Sequence, residues 1–181
     1  MLSTTAARRL VPLVALGTLV AGCHEPERPL SPSSGAALVS VSGNSAGPSA
    51  SGHANWFNAL GEYVSRTFNA REKDGIVHGN FVQHVTSTAG VRRVNKGDID
   101  CLRILGPGDA VLSGPVHENA NPALVGTTQI FRVRDNGEGS GDPEDAQSPL
   151  FFQPPTSGVN CRNFTPPVVT PIESGNIQVK P

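Results

Sequence analysis

Apolar and polar residues alternate along most of the chain from Trp56 onward, in short runs separated by turn residues. Residues 76–86 show the pattern most cleanly. Val77, Phe81 and Val85 share one parity, and His78, Asn80, His84 and Thr86 share the other. That is the signature of an antiparallel strand with one buried face. Residues 62–71 put Val64, Phe68 and Ala70 on one parity, with Glu62 and Arg66 interrupting it. Between these runs, Lys73-Asp74-Gly75 reads as a hairpin turn, because Asp-Gly tolerates the positive φ such turns require. Further strand-like runs are 91–94, 99–105, 110–116, 128–134, 148–153 and 175–180. Gly106-Pro107-Gly108-Asp109 supplies another turn, and a single helical turn is expected near residues 121–124. Short strands at regular spacing predict an all-β domain: an antiparallel β-sandwich or small β-barrel of about eight strands.

Composition narrows the class. Gly numbers 20 and Pro 16, together about a fifth of the chain and nearly double the usual share. No Ala/Glu/Lys/Leu-rich stretch supports a helical bundle. A net charge of −1 argues against electrostatic binding of nucleic acid.

Residues 1–22 read as an export signal. Arg8 and Arg9 precede an apolar stretch, residues 10–20, which is too short to span a bilayer as a permanent helix. Leu19-Val20-Ala21-Gly22-Cys23 then resembles a bacterial lipobox. The resemblance implies a lipidated Cys23 and a membrane partner for the anchor. His24 follows where Asp would favour inner-membrane retention, which leans toward the outer membrane or the cell surface. Residues 23–52 are rich in Pro, Ser, Gly and Ala, and read as a flexible tether. Residues 53–181 are expected to form the β domain.

With Cys23 carrying lipid, Cys101 and Cys161 remain as an even pair. In an exported protein they predict a disulfide. It closes a loop of about 60 residues, worth roughly 4 kcal/mol on chain-entropy grounds. It would pin a loop near the C-terminus to a strand. Neither cysteine lies in a thiol-enzyme signature.

Several segments together carry a family resemblance. They are Phe68-Asn69-Ala70-Arg71, Gly79-Asn80-Phe81, Cys101-Leu102, Phe131-Arg132-Val133-Arg134-Asp135-Asn136-Gly137-Glu138-Gly139 and Gly175-Asn176-Ile177-Gln178-Val179. The pattern resembles a group of secreted bacterial β domains that includes the post-COAP-1 domains. It covers about 110 residues and departs from the group at Arg134, where an apolar residue is common. The resemblance implies an exported all-β domain and supplies no catalytic residue.

Candidate chemistry is sparse. Residues 135–145 hold five acids and three glycines, and a flexible acidic loop can offer calcium the hard oxygens it needs. Asp135, Glu138, Asp142 and Asp145 are the candidate ligands. The simpler alternative is a solvated hairpin loop, and the spacing does not match an EF-hand. His78 and His84 lie about 20 Å apart along one extended strand, too far to share a metal. His117-Glu118 lacks converging partners, and Asp98 and Asp100 share a strand face. Nucleophile-elbow, zincin and phosphate-loop motifs are missing from the sequence. Trp56-Phe57 is either a stacking platform or part of the core. The leading expectation is a non-enzymatic cell-envelope lipoprotein with a structural or binding β domain and no cofactor other than calcium. The alternatives are a small-ligand carrier barrel and a calcium-dependent surface module, with a hydrolase behind both. Against the carrier stands the modest apolar count, which leaves little beyond a core.

Overall fold

A computed structural model describes residues 47–139, 141–167 and 170–181. The segment read as an export signal, Cys23, and most of the segment read as a tether lie outside the described residues. Among the described residues, eleven strands form one antiparallel sheet that curls into a half-barrel. In chain order they are β1 (Ser49–Phe57), β2 (Tyr63–Lys73), β3 (Ile76–Thr86), β4 (Arg92–Asp98), β5 (Cys101–Gly106), β6 (Asp109–Asn119), β7 (Thr128–Arg134), β8 (Ala146–Gln147), β9 (Phe151–Gln153), β10 (Thr170–Pro171) and β11 (Ser174–Lys180). The order across the sheet is β10-β8-β7-β6-β4-β3-β2-β1-β11, with β5 also paired to β6 and β9 to β7.

The alternation sets which face turns inward. Val64, Arg66, Phe68 and Ala70 of β2 point to the interior, as do Ile177 and Val179 of β11. Phe68, Phe81 and Phe131 meet at the centre; Phe131 lies 5.6 Å from Phe68, edge to face, and 6.3 Å from Phe81. The β2–β3 hairpin turns on Asp74 and Gly75, both at positive φ (54° and 77°). This is the geometry for which Asp-Gly is suited. The predicted helical turn is a 3-10 turn at Pro122–Leu124, capped by the Asn121 side chain.

Two features depart from the sequence reading. The folded part begins before residue 53. Ser49, Ala50, Ser51 and Gly52 pair with β2 on one side and β11 on the other. Glycine is needed at position 52: a Cβ there would sit 2.7 Å from the Asn176 carbonyl oxygen, so β11 can approach only a glycine. The second departure is β6, which is buried on both faces from Ala110 to Gly114. Its inner face joins the main core. Its outer face carries Val111, which packs with Cys101, Ile130 and Cys161 beneath Phe151, Val159 and Phe164.

The Cys101–Cys161 disulfide forms as expected and joins positions 60 residues apart. It holds the loop after β9 against β5 and β6. Cys161 N–H donates to Ser113 Oγ at 3.0 Å, and Arg103 donates to the Arg162 carbonyl at 2.8 Å.

Candidate functional site

The two ends of the curled sheet, β10 and β11, do not pair with each other. Carboxylates bridge the seam instead. Asp145 Oδ2 accepts from Ile177 N–H at 2.6 Å, and Asp135 Oδ2 accepts from Val179 N–H at 3.0 Å. Each N–H is on the side of β11 away from β1. Asp145 Oδ1 also accepts from Asn136 N–H at 2.9 Å, and Asp135 Oδ1 from Gly137 N–H at 3.0 Å. Glu138 Oε1 accepts from the side chains of Asn176 and Gln178, and these bonds hold its carboxyl below the usual range.

The four predicted calcium ligands are therefore close in sequence but divided in use. Asp135, Glu138 and Asp145 bind β11, while Asp142 caps Gly139 within the loop. Among the described residues, no three His, Cys, Asp or Glu side chains are grouped to hold a metal. The segments 135–139 and 175–179, both part of the family resemblance, are the two sides of this seam. The other candidates separate. His117 pairs with Asp98 at 2.7 Å on the exposed surface, and Glu118 pairs with Lys96 at 2.8 Å. Asp100 bonds to neither, and partial burial raises its pKa.

A cavity of about 870 Å³ opens at the end of the half-barrel formed by the β1–β2 and β3–β4 turns. Trp56, Val64, Val85, Leu150 and Phe152 give it apolar walls. The apolar residues thus fill a core and still line a cavity, contrary to the expectation from composition. Arg66 and Gln147, each 1% exposed, are its most deeply buried polar lining residues. Arg66 donates from Nε and Nη2 to Gln83 Oε1 at 2.9 and 2.7 Å. From Nη1 it donates to Gln147 Oε1 at 2.9 Å and to the Ser148 carbonyl at 3.3 Å. Its guanidinium carbon lies 5.0 Å from the Trp56 ring centre and 4.7 Å from that of Phe131. Burial pulls the guanidinium pKa down to about 9, so it remains charged at neutral pH. At the mouth, Glu62 pairs with Arg93 and accepts from Asn58 Nδ2 at 2.9 Å. The turns and strand ends here also carry Phe57, Leu60, Tyr63, Val91 and Val125, all exposed.

Sequence reading placed Trp56 between platform and core; the ring is buried in the core and also lines the cavity. It did not identify the cavity, Gln83 or Gln147. The available signal was Arg66, a cation interrupting the apolar parity of β2. No family model, no curated protein and no solved structure matches the chain.

Proposed function

We propose that the chain is an exported, lipid-anchored, non-enzymatic binding protein whose β domain takes up a small ligand in this cavity. The observation that carries the reading is the cavity itself. Its volume of about 870 Å³ falls in the range of about 300–1,000 Å³ usual for small-molecule sites. Its apolar walls with a few buried polar groups match their typical lining. The Cys101–Cys161 disulfide supports an oxidising, exported setting, and Cys23 remains the expected point of lipid attachment. The absence of a nucleophile motif from the sequence supports a binding role over catalysis.

The experiment is native purification of the full chain from membranes, followed by denaturation and mass spectrometry of what is released. A small molecule present at about one per chain supports the reading. A chain that releases none, and whose single tryptophan, Trp56, responds to no added amphiphile, overturns it.

A further inference from the structure

The cavity's polar end has an asymmetry that narrows the class of ligand, and the inference deepens the small-ligand reading on which it rests. The acceptors of the Arg66 guanidinium are two side-chain amides and one backbone carbonyl. All are neutral. Among the described residues, no carboxylate forms an ion pair with Arg66. Glu62 also lines the cavity, but it is bound to Arg93 and Asn58. A buried cation without a counter-ion is costly, and the flanking rings of Trp56 and Phe131 offset only part of that cost.

Gln147 adds a second donor. Its Oε1 accepts from Arg66, which fixes the orientation of the amide. Its Nε2 then points elsewhere and has no partner, although the residue is 1% exposed. A buried amide N–H without an acceptor is uncommon in folded proteins. Nη2 of Arg66 makes one hydrogen bond and carries a second hydrogen. Two neighbouring residues of the cavity lining thus bring a buried cation and a buried amide with an unused donor. Trp56, Leu150 and Phe152 contribute its apolar surface.

We propose that the ligand is an amphipathic organic anion. Arg66 and Gln147 receive its acidic headgroup, and its apolar part lies along Trp56, Leu150 and Phe152. A monocarboxylate with a hydrocarbon portion is the simplest member of the class. It supplies the missing negative charge and an acceptor for Gln147 Nε2. It leaves the bonds from Arg66 to Gln83 and Ser148 in place.

The test uses the full chain stripped of bound lipid and three probes of equal chain length: decanoate, decanol and decylamine. Trp56 fluorescence reports occupancy of the cavity. Decanoate is expected to bind at least tenfold more tightly than either other probe. The preference should vanish when the pH falls below the carboxylate's own pKa. Arg66→Gln should bring decanoate and decanol to equal affinity. If that variant does not fold, the pH dependence in the unaltered chain decides the matter. Decanol or decylamine binding as tightly as decanoate overturns the anion assignment and leaves the small-ligand reading intact. No response to any of the three, with nothing released from the native protein, overturns both.

Discussion

Replacing Asp145 with Ala tests whether side-chain carboxylates close the barrel. Asp145 is 8% exposed and accepts two backbone N–H groups, from Ile177 at 2.6 Å and Asn136 at 2.9 Å. Ile177 is fully buried, so its N–H loses its acceptor without access to water. Asn136 is partly exposed and can recover a bond to solvent. A buried donor left unsatisfied costs about 1–3 kcal/mol. The full penalty at Ile177 and a fraction of it at Asn136 give about 3 kcal/mol. For a domain of this size that corresponds to a fall in Tm of roughly 10 °C. Asp145→Asn should fall between Ala and the parent, because its single amide oxygen can serve only one of the two backbone N–H groups while its N–H₂ faces the other. Asp142→Ala is the control, since its carboxylate bonds only within an exposed loop. The assay is denaturant unfolding combined with native-state amide exchange, in which the amides of Ile177 and Val179 should lose protection ahead of β2 and β3. Asp145→Ala within about 0.5 kcal/mol of the parent, with β11 still protected, would refute the idea that this carboxylate holds the seam.

Three further outcomes follow from the same geometry. Removing the disulfide with Cys101→Ala and Cys161→Ala should lower stability by roughly 4 kcal/mol, measured by denaturant melts, and should expose Val111 and Ile130 by releasing the 158–165 loop. Burial raises the Asp109 carboxyl, but hydrogen bonds and charge from Arg132 and Arg134 outweigh this and leave its pKa lowered. Its contribution is therefore present above the unfolded carboxylate range, near pH 4, and is lost as the pH falls through the lowered folded value. Asp109→Asn should flatten the acid limb of a Tm-against-pH profile, and an unchanged limb would count against the pairing. Thermal melts in excess calcium and in chelator should superimpose, because Asp135, Glu138 and Asp145 are engaged with β11; a site filled to 100 times its Kd would add about 2.7 kcal/mol.

Strands and tight turns were legible because both depend on neighbours in sequence. The parity of residues 76–86 gives β3, and Asp74-Gly75 gives the hairpin that precedes it. The start of β1 was not legible, because Ser49-Ala50-Ser51-Gly52 has the composition of a linker. Only the approach of β11 reveals why Gly52 is a glycine. The cavity was hidden for a related reason: its lining comes from strands scattered between Trp56 and Thr170, and no local window contains it. Arg66 was visible as a break in an apolar face, but its amide partners Gln83 and Gln147 lie 17 and 81 residues away. The use of Asp135, Glu138 and Asp145 on β11 was hidden as well, because side-chain bonds to a distant strand leave no periodic trace.

The carboxylates along β11 also bear on how the molecule behaves in the company of its own copies. A strand at the end of a sheet offers a row of N–H groups to any passing chain, and such rows are where edge-to-edge aggregation starts. Here the inward-facing positions Ile177 and Val179 have theirs occupied by Asp145 and Asp135. An incoming strand would have to displace two charged acceptors before it could pair. The fold can therefore leave its barrel unclosed by backbone bonds and still present a capped edge to its neighbours.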